Sequence, residues 1–287
     1  MKISIVGIGD MGIDIAGHVT KAGFDLKAHD ISEERCELAR SNGVAVPGSL
    51  AETVSDADVH LVMVATDEQS EDVTGGIIQH GTKGSVIVIL ATNSPKTMRS
   101  LGQEASAAGV GFVDAPVCFG RKGARDGTLA SLCGGSAADV EKITPVLDSY
   151  SRKVHHIGPV GSGQLGKACN NMLHWSACIA NFEVLSLAKR YGVDAQRMRE
   201  TLLECPGQNG TLKTWDHTRF TWHEKDMDLV LELAQDGELP LPFYGHVDQL
   251  IKFFHADQVA DLLYGKESQY LGKTVRPMTP EEGGLGE

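Results

Sequence analysis

The chain contains 287 residues, of which 41% are hydrophobic and 22% are charged, a composition typical of a globular, water-soluble protein. Its formal net charge of −12 argues against a nucleic acid or an acidic membrane surface as partner, and no apolar run approaches the ~20 residues that a membrane span requires. The N-terminal residues do not resemble a signal peptide. The six cysteines form no CxxC pair and no zinc-ligand spacing, so we expect a cytoplasmic protein without structural disulfides or a bound metal.

The first predicted element is a strand at Lys2–Val6, followed by a glycine-rich turn and a helix that ends near Ala22. The turn has the spacing Gly7-x-Gly9-x-x-Gly12. In this context the first glycine allows a tight turn, the second lets a pyrophosphate approach the helix N-terminus, and the third lets helix and strand pack closely. The sequence therefore predicts a dinucleotide site whose members here are Gly7, Gly9, Asp10, Met11 and Gly12.

An acidic residue follows the second predicted strand, Asp25–His29. At the position of Asp30, a carboxylate takes the adenosine ribose hydroxyls in dinucleotide-binding folds, and Ile31 is predicted to lie beside the cofactor as well. Because the same carboxylate repels a 2′-phosphate, NAD is favoured over NADP. The alternative role for Asp30 is to cap the helix that begins after Ser32.

Strands and helices continue to alternate along the first half of the chain. Continuous apolar runs at Val59–Val64 and Val86–Leu90, and a shorter run at Gly111–Val113, are typical of parallel strands buried on both faces. The predicted fold class is therefore α/β, with a doubly wound parallel sheet of the Rossmann type in residues 1–160.

Polar loops follow these strands, and ligands bind beyond the carboxyl ends of such strands. Thr66 and Thr92 lie in these loops and are predicted to contact the nicotinamide half of the cofactor. Helix capping is the alternative for both threonines. The next stretch, Val113–Gly135, is dense in glycine and is predicted to supply backbone N–H groups to an anion. Its alternative is a long hairpin-like connection without a ligand.

A long helix is predicted from about Gly163 to Tyr191, at the start of a second domain that covers residues 161–287. Apolar residues occupy most of its sides, which is typical of a buried helix. Lys167, Asn171 and His174 are spaced so that they share one face. An ammonium group is rarely buried without a partner or a function. The alternative is a structural lysine exposed to solvent.

The rest of the second domain is predicted to be all-helical. Helical patterns cover Asp194–Leu203, Asp226–Leu233 and Phe243–Leu263, and no convincing strand pattern follows Ile157. The polar tail, residues 279–287, is predicted to be disordered.

Four motifs, in order along the chain, resemble those of the β-hydroxyacid dehydrogenase family, which contains 3-hydroxyisobutyrate dehydrogenase, tartronate semialdehyde reductase and, more distantly, 6-phosphogluconate dehydrogenase. GIGDMG at Gly7–Gly12 matches the family's GxGxMG, and VDAPVCFGRKGARDGTL at Val113–Leu129 matches its DAPVSGG segment. GSGQLGKACNN at Gly161–Asn171 matches GxGxxxKxxNN, and Lys225-Asp226 matches a KD pair ahead of a helix. The resemblance covers nearly the whole chain.

The resemblance implies roles for individual residues. Lys167 looks like the family's catalytic lysine, and Asn171 looks like the partner that positions the substrate. Lys225 looks like the cofactor-side lysine, with Asp226 as its structural neighbour. The family also implies a homodimer or homotetramer built through the helical domain.

The predicted substrate site departs from the family pattern at two places. The family's Ser-Gly-Gly loop, which holds a substrate carboxylate, corresponds here to Cys118-Phe119-Gly120. A thiol is a weaker donor than a hydroxyl, and phenylalanine adds an apolar ring, so a less polar or aromatic-bearing alcohol is one interpretation. His174 replaces an acid of the decarboxylating phosphogluconate enzymes and is assigned to the substrate site. Alternative holders of a carboxylate are Arg121, Lys122 and Arg125.

We therefore expect an enzyme that transfers a hydride reversibly between nicotinamide and the alcohol carbon of a β-hydroxy acid or a related alcohol. Lys167 would take the hydroxyl proton as the hydride leaves and return it in the reverse direction. Three alternatives are an imine reductase, in which the lysine is typically replaced, a lyase that uses NAD to oxidise a hydroxyl transiently and releases a small fragment, and a module that binds NAD without turnover.

Overall fold

The computed structural model describes residues 1–285, and the chain divides into two compact units. The first unit is Met1–Lys167, and the second begins at Ala168. The sequence predicts the boundary between residues 160 and 161. The observed division lies later because the long helix begins inside the first unit, at Ser162. Within residues 1–285, no helix is both long enough and apolar enough to cross a lipid bilayer.

The first unit is built on one eight-stranded sheet. In chain order its strands are β1 (Lys2–Val6), β2 (Asp25–His29), β3 (Val59–Val62), β4 (Val86–Ile89), β5 (Gly111–Asp114), β6 (Val117–Cys118), β7 (Leu129–Gly134) and β8 (Ser151–Gly158). The order across the sheet is β2-β1-β3-β4-β5-β7-β6, with β8 also paired to β7. Neighbouring strands are parallel from β2 to β5, and β7 is antiparallel to β5 and β6. The predicted Rossmann-type sheet is confirmed.

Both faces of the parallel strands are covered, as the apolar runs predict. The helices of this unit are α1 (Asp10–Lys21), α2 (Glu33–Ser41), α3 (Leu50–Val54), α4 (Asp67–His80), α5 (Pro95–Ala107), α6 (Gly120–Asp126), α7 (Ala137–Leu147) and the first turns of α8 (Ser162–Arg190). In β4, Val86 and Val88 join one apolar cluster with α1 and α7, whereas Ile87 and Ile89 join another with α4 and α5. This alternation explains why β4 is apolar on both faces.

A buried histidine links three strands of this sheet. His60 of β3 lies 2.8 Å from Ser4 Oγ in β1 and 3.0 Å from Ser85 Oγ, next to the start of β4. Burial lowers the pKa of His60 to about 4, so the ring is neutral at neutral pH. The ring is fully enclosed in the core and serves as a hydrogen-bonding link between strands.

The second unit is a helical domain around an aromatic core, and the predicted helical class is confirmed. Phe182 of α8 packs edge-on against Trp215 and Phe254, with ring centroids 5.9 and 5.1 Å apart. The shorter helices are α9 (Ala195–Leu202), α10 (Gly210–Lys213), a 3₁₀ turn (Trp215–His217), α11 (His223–Asp236), α12 (Pro242–Ile251) and α13 (Ala256–Tyr264). The continuous pattern predicted over residues 243–263 is therefore two helices rather than one.

A short hairpin corrects the prediction that this unit is all-helical. Strands β9 (Ser268–Tyr270) and β10 (Lys273–Val275) pair in antiparallel orientation. Leu271 and Gly272 both have positive φ, as a tight two-residue hairpin turn requires. Strands of three residues are too short to give a recognisable alternation, so the sequence pattern missed them.

The C-terminal tail also differs from its prediction of disorder. Pro280–Glu282 forms a 3₁₀ turn, in which Thr279 and Glu282 each accept a backbone hydrogen bond from the other. Glu282 also pairs with Arg276 at 3.1 Å. These contacts are not visible in the composition of the tail. Residues 286 and 287 lie outside the described residues.

Candidate active site

The glycine-rich turn between β1 and α1 is shaped by backbone packing. Gly7 has φ +89° and donates its N–H to His29 O, and a Cβ on it would overlap Met63 O. A Cβ on Gly12 would overlap Gly7 O. By contrast, a Cβ on Gly9 would meet no atom within 4 Å. The first and third glycines are therefore required by the fold itself, whereas the second leaves an open surface at the N-terminus of α1, where a pyrophosphate is favoured.

Asp30 lies against this turn. Its carboxylate accepts the Ile8 N–H at 2.8 Å and the Ser32 N–H at 2.9 Å. Ser32, not Asp30, is the N-cap of α2. A carboxylate has about four lone-pair sites, so two are left for ribose hydroxyls. The residues present therefore fit the adenosine half of a dinucleotide, and Ile31 beside them is 95% exposed.

Asp10, at the start of α1, pairs with two arginines. Its carboxylate lies 3.0 Å from Arg35 and 2.6 Å from Arg121. All three side chains are partly exposed, so each pair contributes only about 0–1 kcal/mol to stability. Of the three cations considered for a substrate carboxylate, Arg121 is thus paired with Asp10, and Lys122 and Arg125 are paired with Asp126. Met11 is half-buried and packs against the core of the sheet.

The loops after β3 and β4 lead directly into helices α4 and α5. Thr66 has the capping role that was its alternative. Its hydroxyl accepts the Gln69 N–H at 3.2 Å as the N-cap of α4. The cap of α5 is Ser94 rather than Thr92. Asn93, between them, is buried, and its side chain donates to Asp67 Oδ1 at 2.6 Å. The predicted contact of both threonines with a nicotinamide stays a prediction.

The first turn of α8 is held by the carboxylate of Asp114, at the end of β5. Asp114 is fully buried and accepts the N–H groups of Gly161 at 2.6 Å and Gln164 at 2.8 Å. Burial raises the pKa of Asp114 to about 7, although the backbone N–H donors act against that increase. Lys167 follows Gln164 by three residues on α8 and is half-buried.

The other predicted substrate residues on α8 lie in the second unit. Asn171, four residues after Lys167, is 5% exposed, and its amide oxygen accepts a hydrogen bond from the Asn170 side chain at 3.2 Å. His174 Nδ1 lies 2.9 Å from Thr211 Oγ1. The helical spacing puts Lys167, Asn171 and His174 on one face of α8, as predicted.

Lys225 and Asp226 lie in the first turn of α11. Asp226 is buried and accepts the indole N–H of Trp175 at 3.0 Å, so it is a structural link to α8. Lys225 is half-buried. The role of Lys225 toward the cofactor stays a prediction.

The predicted substrate loop has a strained backbone. Phe119 has φ +81°, a left-handed conformation that costs a residue other than glycine about 1–3 kcal/mol. Its ring is 53% exposed and lies 3.9 Å from the Arg152 guanidinium, a cation–π contact. Cys118, in contrast, is 7% exposed and paired within the sheet with Ala130, while Gly120 opens α6.

Two residues of this region were missed in the sequence. Arg152 is far from Phe119 along the chain, and a single arginine in a strand has no distinguishing pattern. The Gln164 side chain is fully buried and bonds to the loop after β4, but an amide within a helix gives no sequence signal. The one available signal is its position in the GxGxxxKxxNN motif, directly after Gly163 and three residues before Lys167.

Two family models together match most of the chain. The model for the NAD-binding domain of 6-phosphogluconate dehydrogenase matches residues 2–158. The model for NAD-binding of NADP-dependent 3-hydroxyisobutyrate dehydrogenase matches residues 161–263. The two matches meet near the start of α8.

Individual relatives extend over most of the chain as well. NAD-dependent L-serine dehydrogenase of Pseudomonas aeruginosa is 29% identical over 218 residues, 75% of this chain and 73% of that protein. The 2-hydroxy-3-oxopropionate reductase of Escherichia coli is 30% identical over 256 residues, 84% of this chain and 87% of that protein. Among solved structures, Mycobacterium tuberculosis 3-hydroxyisobutyrate dehydrogenase with L-serine is 26% identical and superposes with a TM-score of 0.82. The superposition covers 89% of this chain and 95% of that chain.

Proposed function

Because the chain belongs to the β-hydroxyacid dehydrogenase family and is an NAD(P)-dependent dehydrogenase of CH–OH groups, we propose that it oxidises a small 3-hydroxy acid with NAD. The observation that carries this proposal is the place of Lys167. The lysine is half-buried on α8, whose first turn is held by Asp114, and it belongs to the same compact unit as the open glycine turn and Asp30. A lysine amine that reaches a bound dinucleotide and its substrate is suited to proton transfer.

In the proposed reaction, residues of the chain transfer the hydroxyl proton and orient the substrate. The nicotinamide, when bound, supplies the chemistry of accepting or donating a hydride. Lys167 in its neutral form takes the proton from the substrate hydroxyl, and as an ammonium it returns the proton in the reverse direction. Asn171, one turn further along α8, orients the hydroxyl oxygen through its side-chain amide.

The proposed substrate class follows from the relatives and from the loop after β6. The relatives' names include L-serine, 3-hydroxyisobutyrate and 2-hydroxy-3-oxopropionate, all of which carry a carboxylate. The cation over Phe119, Arg152, makes no ion pair within residues 1–285, so its charge is available for such a group. The exposed ring of Phe119 favours an additional apolar substituent on the substrate.

A turnover assay tests this proposal. We expect NADH absorbance to rise with NAD and L-serine or 3-hydroxyisobutyrate, and to fall with NADH and 2-hydroxy-3-oxopropionate. Aryl alcohols and cyclic imines complete the panel, with product analysis alongside. Product formed without net NADH would indicate a lyase, and consumption of NADH only with imines would indicate an imine reductase. Binding of NADH without turnover of any compound would leave a cofactor-binding module and refute the dehydrogenase proposal.

The choice of NAD over NADP is proposed from Asp30. We expect Asp30→Ala to weaken NADH binding by about 1–3 kcal/mol, because charge-assisted hydrogen bonds to the ribose are lost, and to improve NADPH binding relative to NADH. Fluorescence titration with both nucleotides measures the change. Glu37→Ala, which removes an exposed carboxylate on α2, is the matched control. An unchanged NADH-to-NADPH ratio in Asp30→Ala would contradict the assignment.

Assembly and location are part of the same proposal. Exposed apolar side chains repeat along one side of α8, with Leu173 68%, Val184 50% and Leu187 62% exposed. Ala180, also exposed, lies between them on that side. An apolar strip of this kind is the surface that a second copy of the helix would cover, so we propose a homodimer, or a homotetramer built from it, through the helical unit. All six cysteines are free thiols, which suits a reducing cytoplasm.

A further inference from the structure

The start of α8 touches the ends of the sheet strands through backbone atoms. A Cβ on Gly163 would overlap Leu132 O of β7, and a Cβ on Gly134 would come within 2.7 Å of Gly163 N. Asp114 fills the space beside these glycines and accepts the N–H groups of Gly161 and Gln164. The helix therefore begins in direct contact with β5 and β7, and its backbone lies so close to theirs that not even a Cβ would fit between them at Gly134 or Gly163.

Gln164 connects the first turn of α8 to a third strand, at the C-terminal end of β4. Its side chain is fully buried, and both ends of the carboxamide are used. Oε1 accepts the Asn93 N–H at 3.0 Å, and Nε2 donates to Ala91 O at 2.8 Å. These backbone groups lie just beyond β4, where the sheet no longer pairs them. The carboxamide thus takes the place of a neighbouring strand for this loop.

The connection continues to the loop after β3. The Asn93 side chain donates to Asp67 Oδ1 at 2.6 Å, and the Ser94 N–H donates to Asp67 Oδ2 at 3.0 Å. Thr66 and Thr92, which are predicted to line the nicotinamide, are the chain neighbours of Asp67 and Asn93. One continuous set of hydrogen bonds therefore runs from these loops to the helix turn that precedes Lys167.

We propose that Gln164 is a positioning residue for hydride transfer, because its carboxamide keeps the Lys167 turn of α8 in register with the loops after β3 and β4. This inference rests on the proposed function, in which Lys167 handles the substrate proton. A misplacement on the order of 1 Å costs catalysis on the order of 10²-fold. A side chain that fixes this register affects the chemical step more than it affects cofactor affinity.

Two substitutions at this position separate positioning from packing. Gln164→Leu keeps the approximate volume and loses both hydrogen bonds, so we expect kcat to fall by about 10- to 100-fold. NADH affinity should stay unchanged, and the deuterium isotope effect on kcat should rise with 3-hydroxyisobutyrate or L-serine deuterated at the alcohol carbon. Gln103→Leu, on the exposed side of α5, is the matched control with wild-type kinetics.

Gln164→Glu provides a readout that simple packing would not alter. When protonated, the carboxyl group accepts from Asn93 and donates to Ala91 as the amide does; when ionised, it loses the donor. Burial and the nearby carboxyls of Asp114 and Asp67 favour the protonated form. We therefore expect the kcat ratio of Gln164→Glu to wild type to recover as the pH is lowered, whereas the ratio for Gln164→Leu stays low throughout.

Two results would overturn the inference: a wild-type kcat in Gln164→Leu, or a Gln164→Glu ratio that stays as low as that of Gln164→Leu at every pH. A wild-type protein that oxidises none of the hydroxy acids would instead refute the proposed function. In that case, hydrogen exchange at residues 91–94 and 162–167 still tests the link. Faster exchange of both segments in Gln164→Leu than in wild type supports it, and equal exchange overturns it.

Discussion

Lys167→Ala is expected to reduce kcat by about 10²–10⁴-fold, the usual contribution of a positioned general acid or base. The variant should still bind NADH, because the glycine turn and Asp30 lie on other elements of the first unit. Steady-state kinetics with the hydroxy acid and a fluorescence titration with NADH measure the two quantities separately. Lys83→Ala, an exposed lysine in a loop of the same unit, is the matched control.

Lys167→Arg separates proton transfer from electrostatic attraction. A guanidinium keeps the positive charge but does not release its proton in proteins. If the lysine acts as acid and base, Lys167→Arg stays as inactive as Lys167→Ala. Recovery of kcat in Lys167→Arg would mean that the residue only attracts an anion. Near-normal turnover in Lys167→Ala would remove the lysine from the mechanism altogether.

The second large effect is expected in the glycine turn, where Gly9→Ala and Gly12→Ala should fail in different ways. A Cβ on Gly9 meets nothing in the protein, so Gly9→Ala should keep wild-type stability. It should nevertheless weaken NADH binding by about 1–3 kcal/mol, the usual cost of an extra methyl group in a close contact. A Cβ on Gly12 overlaps Gly7 O, so Gly12→Ala should lower both stability and affinity.

Thermal unfolding and NADH titration of both variants test this distinction. Gly17→Ala, an exposed position later in α1 with open space around it, is the control. It should raise stability by about 0.5–1 kcal/mol, because alanine is the better helix former, and leave affinity unchanged. Wild-type NADH affinity in Gly9→Ala would mean that no ligand approaches the turn at this residue.

The predicted substrate loop, Cys118-Phe119-Gly120, departs from the family pattern. Phe119 occupies a left-handed position that favours glycine, and its ring carries the Arg152 guanidinium. Local strain of this kind persists only when the surrounding structure enforces it, and it concentrates at functional sites. In the turnover assay, hydroxy acids that differ in the substituent next to the carboxylate are therefore the most informative substrates to compare.

The amino-acid sequence alone determined the fold class, the helical second domain and the two elements that flank the glycine turn. The bounds predicted for β1 and β2 match the structure, because apolar periodicity and glycine spacing are local properties of a chain. The position of Asp30 beside the glycine turn could be predicted for the same reason, since its distance from Gly12 along the chain is set by one helix and one strand.

Only the tertiary structure decided which polar groups meet. Gln164 bonds to Asn93 and Ala91 from 71 and 73 residues away, and Asp114 bonds to Gly161 from 47 residues away. Arg152 lies over the ring of Phe119, which is also distant along the chain, and no sequence pattern marks this pair. No periodic pattern encodes such distant contacts, since they form only after the strands and helices have packed. The hairpin at residues 268–275 and the turn at 280–282 were missed for a different reason: both are local, but each is too short to give a periodic pattern.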